Sequence, residues 1–216
     1  MGKVETLQEF YQWKHDFVPD NLHKDIGHFM KNVLIIGAGG GIAQIVAALL
    51  SKDKSINLTL FAHNTSRLNP QCRIIEGDVF DISILKTAVQ GQDIVYVNLA
   101  GDLEQMAKNI VSTMREAGVK KIIFISSVGI YDIPLRSVLK PYRKAADVIE
   151  ASGLEYTILR PTWFSNTDEV DYETTQKGTA EKGSVISRKS LATLITEIIK
   201  SPEKFKDQNL GVNKPE

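Results

Sequence analysis

Val33-Leu34-Ile35-Ile36-Gly37-Ala38-Gly39-Gly40-Gly41-Ile42-Ala43 runs from four apolar residues through a glycine cluster into a helical pattern. An unbroken apolar run ending in glycine reads as a strand buried on both faces, as in parallel sheets. Ile42 to Leu50 continues as a helix. Outward from there the alternation repeats. Asn57 to Phe61 and Arg73 to Ile75 read as strands, Asp81 to Val89 as a helix capped by Asp81, and Asp93 to Asn98 as a strand. A helix from Leu103 to Ala117 is stopped by Gly118, and Lys121 to Ser126 is again a strand. Tyr142 to Ala151 is a helix ended by Gly153, Tyr156 to Leu159 a strand before Pro161, and Ser190 to Lys200 a closing helix. Strand and helix alternate with no run of consecutive strands, so each crossover helix returns the chain to begin a parallel neighbour. The expected fold is α/β, a doubly wound parallel sheet in a single domain over residues 30–216.

Residues 1–29 read differently, as an N-terminal extension. Val4 to His15 has a partly apolar helical pattern that Pro19-Asp20-Asn21 breaks. A surface appendage is the plain expectation; an oligomerisation arm around Trp13 and Phe17 is the alternative.

Composition narrows the function classes. The 216 residues hold 26 Lys plus Arg and 26 Asp plus Glu, so no net field draws nucleic acid or anionic lipid. No apolar segment approaches the ~20 residues that span a bilayer, and the N-terminus has no signal-peptide core. A cytoplasmic location is expected, compatible with one cysteine, Cys72, which is read as a small buried hydrophobe. The four histidines, His15, His23, His28 and His63, show no ligand-like pairing, so no metal site is expected. Gly129 belongs to no G-x-S-x-G elbow, which removes a hydrolase of that type.

The glycine cluster carries the sharpest functional signal. Between a buried strand and a helix, Gly37, Gly39, Gly40 and Gly41 permit a tight turn and close approach of backbone N–H groups to a pyrophosphate. The helix start at Ile42 adds free donors, and Ala43, at the third fingerprint position, allows close helix–strand packing. This is the fingerprint of a Rossmann dinucleotide site. The end of the second strand selects the dinucleotide. Ala62-His63-Asn64-Thr65-Ser66-Arg67 lacks the acid that holds an NAD ribose, whereas Asn64, Ser66, Arg67 and a protonated His63 suit a 2′-phosphate. NADP(H) is therefore expected over NAD(H).

With these motifs in place, Met30 to Val212 resembles the NmrA-like, NAD(P)H-binding group of atypical short-chain dehydrogenase/reductases. The resemblance rests on the glycine segment, Glu76-Gly77-Asp78-Val79, Gln90-Gly91-Gln92-Asp93-Ile94-Val95-Tyr96, Phe124-Ile125-Ser126-Ser127 and Ser152-Gly153-Leu154-Glu155-Tyr156-Thr157-Ile158-Leu159-Arg160-Pro161. It implies that Asp78 and Val79 line an adenine pocket and that Asn98, Leu99, Ala100 and Gly101 run beside the cofactor ribose. It further implies that Ser126 and Ser127 end a strand near the nicotinamide, with Pro161, Thr162 and Trp163 passing over it.

The chain departs from the family at its usual Tyr-x-x-x-Lys pair. Tyr131 is followed four residues later by Leu135, Tyr142 by Ala146 and Tyr156 by Arg160, and alignment on Ser152-Gly153-Leu154 puts the family's tyrosine near Val138 and its lysine near Tyr142. Ser127, Tyr131 and Tyr142 are the remaining catalytic candidates as proton donors. Lys144 and the pair Arg188-Lys189 read as solvated charges. The expected activity is transfer of hydride to or from a small carbonyl, quinone-like or conjugated substrate, the cofactor carrying the hydride. The alternative is a non-catalytic NADP(H)-sensing regulator acting through a protein partner. The specific substrate and any homo-oligomer stay open.

Overall fold

The computed structural model describes residues 30–215. The expectations for residues 1–29, including the arm around Trp13 and Phe17, fall outside the described residues.

The apolar run at the head of the sequence becomes β1 (Lys31–Ile36), paired in parallel with β2 (Ile56–Ala62) and β4 (Ile94–Val97). Its side chains alternate between two buried layers. Val33 and Ile35 enter the layer shared with α1 (Gly41–Leu50) and α5 (Arg188–Lys200). Leu34 and Ile36 enter the layer shared with α2 (Ile82–Val89), α3 (Leu103–Glu116) and α4 (Lys140–Glu150). Helices cover both faces, which is why the strand can be apolar at every position.

β3 (Arg73–Glu76), β5 (Lys121–Ile125), β6 (Glu155–Pro161), β10 (Gln208–Asn213) and β8 (Glu173–Gln176) complete one sheet of order β3-β2-β1-β4-β5-β6-β10-β8. The first six follow the Rossmann order, and the chain reverses direction across the sheet between β1 and β4. A cavity opens at the carboxyl ends of these strands.

Strict alternation fails in two places. No helix joins β2 to β3, and β7 (Trp163–Ser165), β8 and β9 (Val185–Ser187) follow β6 with no helix between them. β7 and β9 form their own parallel pair, while β8 runs antiparallel to β10. These strands escape an apolar-run reading because β8, Glu173-Thr174-Thr175-Gln176, is a polar edge strand and β7 and β9 have three residues each. β10 is buried between β6 and β8, yet its sequence carries Asn209, Gly211 and Asn213.

Candidate functional site

The glycine turn is built by contacts that leave no room for side chains at Gly37 and Gly40. Gly37 has φ +80°, and a Cβ there would lie 2.1 Å from the Asn98 carbonyl oxygen. The amides of Gly37 and Ala38 both donate to the Phe61 carbonyl, at 3.0 and 3.1 Å, tying the turn to β2. At Gly40 a Cβ would lie 2.3 Å from Asn98 Nδ2, so this glycine makes room for a neighbouring side chain. A Cβ at Gly41 would meet nothing within 4 Å.

α1 then starts without a cap. Asp81, Asp102 and Ser187 accept first-turn N–H groups of α2, α3 and α5, whereas Gly40 offers α1 no side chain and its first turn carries no acid. The amides of Gly41, Ile42 and Ala43 thus have no acceptor among the described residues. Unpaired first-turn donors and the helix dipole together suit an anion.

From this terminus a cavity of about 1790 Å³ extends along the strand ends. That exceeds the roughly 300–1,000 Å³ of a site for one small ligand. Of the residues expected from sequence, Gly37, Gly39, Gly40, His63, Asn64 and Arg67 border its first part. Asp78, Val79, Asn98, Leu99 and Ala100 border the middle. Ser126, Ser127, Tyr131, Tyr142, Pro161, Thr162 and Trp163 border the far part. Gly41, Ile42 and Gly101 are not on the cavity wall.

Many of these groups also have local partners. Asn64 Oδ1 accepts from the Ser66 amide and hydroxyl at 3.1 and 2.8 Å, shaping the turn before Arg67. Arg67 is exposed, with no carboxylate partner among the described residues. An acid does stand close by, since Glu76 accepts from Thr65 Oγ1 at 3.0 Å, but it is off the wall. Asp78 accepts from the Phe80 amide at 3.0 Å, so it shapes its own turn as well as bordering the cavity. Lys144 is exposed and paired with Glu104, whose hydrogen bond holds the ammonium pKa up; it is off the wall. Cys72 is half-buried against the core, and burial pushes its thiol pKa up.

Two hydroxyls at the far part are engaged. Ser127 Oγ donates to the Val128 carbonyl at 3.1 Å, and the Tyr131 hydroxyl accepts from Asn209 Nδ2 at 2.8 Å. The Tyr131 ring lies among Arg143, Arg160 and Lys177, at 4.7, 5.4 and 4.7 Å from its centroid. Burial of Lys177 opposes its charge, but hydrogen bonds to Glu150 and Tyr131 outweigh this and hold its pKa up. Ser126 differs. It borders the cavity but is 4% exposed, its amide donates to the Leu159 carbonyl, and its buried Oγ has no partner among the described residues. The Tyr142 hydroxyl makes no hydrogen bond among the described residues.

Sequence reasoning missed Arg160 and Glu181. Arg160 is 1% exposed; its Nε donates to Glu181 at 2.6 Å, and its Nη1 donates to the carbonyl and side-chain oxygens of Asn209. Glu181 also accepts from the Gly129 amide at 2.8 Å, fastening the segment from Gly178 to Gly183 over the cavity. The available signal was an arginine inside the apolar strand Thr157-Ile158-Leu159-Arg160-Pro161, since a charge there must find a partner.

Residues 37–202 match the family described as NAD(P)H-binding. The chain belongs to that family. This agrees with the resemblance to atypical short-chain dehydrogenase/reductases read from its motifs. Among solved structures, a Rossmann-fold NAD(P)-binding family protein from Shigella flexneri is 49% identical, with TM-score 0.80, over 86% of this chain and 94% of that one. A short-chain dehydrogenase/reductase from Veillonella parvula, solved in complex with NADP, is 27% identical, with TM-score 0.79, over 86% and 95%. An isoflavone reductase homolog from Nicotiana glauca is 24% identical over 152 residues, 62% of this chain and 49% of that protein. The chain spans about half the length of the curated relatives it matches. No helix among the described residues is long and apolar enough to cross a membrane.

Proposed function

We propose that this NAD(P)H-binding family member is an NADP(H)-dependent oxidoreductase acting on a small carbonyl, quinone-like or conjugated substrate without the Tyr/Lys pair. The observation that carries this reading is the uncapped start of α1, its first three amides without an acceptor among the described residues, beside a cavity bordered by Ser126, whose buried hydroxyl is also unpartnered. Leaving a buried hydroxyl unpaired costs about 1–3 kcal/mol, so such a group beside a cavity suits a ligand. NADP in the Veillonella structure and the reductase name of the tobacco relative point the same way.

The residues fit a dinucleotide. The acceptor-free amides of Gly41, Ile42 and Ala43 at the helix start would hold the pyrophosphate, with Gly37, Gly39 and Gly40 forming the cavity wall beside it. Arg67, with His63 and the Asn64 amide nitrogen, would hold a 2′-phosphate. Asp78 and Val79 would border adenine, Asn98, Leu99 and Ala100 the ribose, and Pro161, Thr162 and Trp163 the nicotinamide, while Gly101 lies off the cavity wall. The bound cofactor supplies or accepts hydride. Ser126, whose unpaired hydroxyl lies beneath the cavity wall, is the candidate to donate a hydrogen bond to the substrate oxygen, and the Tyr142 hydroxyl, which has no competing partner among the described residues, is the first candidate to supply a proton. Ser127 and Tyr131 are second in line because the Val128 carbonyl and Asn209 already engage them.

Calorimetric titration with NADPH and NADH tests the cofactor half. Arg67→Ala is expected to remove most of a roughly tenfold or greater NADPH preference, in keeping with charge-assisted contacts of about 1.5–3 kcal/mol. Equal affinity for the two cofactors in the parent protein overturns that assignment. Loss of NADPH absorbance with a panel of quinones and conjugated carbonyls tests the chemistry. Ser126→Ala and Tyr142→Phe are each expected to slow it about tenfold or more with NADPH affinity unchanged. A chain that binds NADPH but oxidises it with none of the panel is the sensing regulator instead.

A further inference from the structure

One stretch of the cavity wall is held by very few contacts. Gly178, Thr179, Ala180, Glu181 and Gly183 all border the cavity. On one side this stretch is anchored at Lys177, whose amide donates to the Asn209 carbonyl and whose ammonium pairs with Glu150 at 2.7 Å. On the other it is anchored at Ser184, whose carbonyl accepts from the Trp163 amide. Between these anchors the only side-chain hydrogen bonds among the described residues belong to Glu181, which accepts from Arg160 Nε at 2.6 Å and from the Gly129 amide at 2.8 Å. Thr179, Ala180 and Lys182 are exposed.

Both ends of the stretch are glycines with positive φ, +89° at Gly178 and +63° at Gly183. Glycine changes its backbone angles with little steric penalty, and a segment with few buried contacts opens at a smaller free-energy cost than the core. What opposes opening is one carboxylate on a guanidinium that is 1% exposed, a charge-assisted bond of the strong kind. Release is still within reach. The Glu181 side chain is 22% exposed and gains water when freed, while Arg160 keeps the carbonyl and side-chain oxygens of Asn209. The same carboxylate ties together two strand ends, since Arg160 lies in β6 and Gly129 follows β5 just past Ser126 and Ser127.

We propose that residues 178–183 are a hinged strap at the far end of the cavity, latched by Glu181, which swings out on Gly178 and Gly183 while the rest of the fold stays closed. Opening takes Thr179, Ala180 and Glu181 off the wall and widens the end bordered by Ser126 and Tyr142. A molecule bound there gains a way in and out that leaves the glycine turn untouched. The strap uses neither the cofactor nor the chemistry, so it stands or falls apart from the oxidoreductase reading.

The test is trypsin digestion of the full chain in native buffer, with each cut followed by mass spectrometry. A protease needs an extended stretch of chain, so cutting after Lys182 reads strap opening, whereas cutting after Lys86 in α2 and Lys108 in α3 reads unfolding of the core. In the parent chain the Lys182 cut should be about tenfold faster than the other two, or more, and barely respond to low urea, because local opening exposes little surface. Glu181→Gln keeps an acceptor but loses the charge, and should speed the Lys182 cut about tenfold. Gly178→Ala leaves the latch in place, and its Cβ meets nothing within 4 Å. Alanine disfavours the φ of +89° in the closed form, so here the Lys182 cut should speed up about fivefold. Ile110→Val loosens the core in α3, away from the strap, and should speed the Lys86 and Lys108 cuts severalfold with the Lys182 cut unchanged. A Lys182 cut that follows the other two through urea or Ile110→Val overturns the strap. One that ignores Glu181→Gln overturns the latch, and one that ignores Gly178→Ala overturns the hinge.

Discussion

The two ends of the cavity hold their polar groups in opposite ways. At the glycine turn they are left free: the first amides of α1 are uncapped and Arg67 has no carboxylate partner. Beyond Ser127 most are engaged with one another, with Arg160 on Glu181 and Asn209, Tyr131 on Asn209, and Lys177 on Glu150. A free polar group contributes to binding, and an engaged one contributes to shape and stability. The turn end should thus respond to substitution in affinity, and the far end in folding, with Ser126 and Tyr142 among the exceptions.

The largest expected effect falls on the engaged end. Glu181→Ala leaves the guanidinium of Arg160 buried without its counter-charge. Breaking a buried pair in this way costs about 3–5 kcal/mol, and the partial exposure of Glu181 places this case near 3. Urea unfolding should show a clear fall in midpoint, while NADPH affinity in the folded protein changes little. A protein that keeps its midpoint but loses NADPH would break the comparison.

Gly40→Val should do the reverse. The new Cβ meets Asn98 Nδ2, the end of a side chain that can move aside, so the fold should survive with a modest loss of stability. The displaced Asn98 and the added bulk then crowd the turn, and NADPH affinity should fall about a hundredfold, or roughly 2.8 kcal/mol. Unchanged NADPH affinity in a folded Gly40→Val protein, measured by calorimetry, removes the pyrophosphate from this turn. Gly37→Ala is not an equivalent test, because its φ of +80° and the clash with the Asn98 carbonyl involve the backbone itself.

The smallest effect sharpens the reading of Ser126. Tyr96 is also a buried hydroxyl without a partner, but it lies in the closed core rather than on the cavity wall. Burial alone drives its pKa far up. Tyr96→Phe should stabilise the fold by about 1 kcal/mol, the relief of an unpaired polar group, with NADPH binding untouched. A loss of stability in thermal unfolding would show that the hydroxyl has a partner, such as a buried water, and would weaken the case that an unpartnered hydroxyl marks a ligand.

The sequence was most readable where structure is set locally. The run Val33 to Ile36 reads as a strand covered on both faces, and Gly37 to Gly41 as a tight turn, pressed by its neighbours at Gly37 and Gly40. Asp81 as a cap and Gly118 and Gly153 as stops likewise follow from backbone geometry within a few residues, and each was found where it was expected. The far end resisted because its logic is long-range. Arg160 and Glu181 are 21 residues apart, and Arg160 and Asn209 are 49 apart. Polar β8 takes its place only because β10 enters the sheet beside β6. By itself the sequence determined a doubly wound parallel domain with a dinucleotide turn at its first crossover, since periodicity and glycine geometry act over short spans. Only the tertiary structure decided which hydroxyls and charges of the far end are engaged and which remain free for a ligand. A side chain's partner is set by what the fold brings beside it, and spacing along the chain does not carry that information.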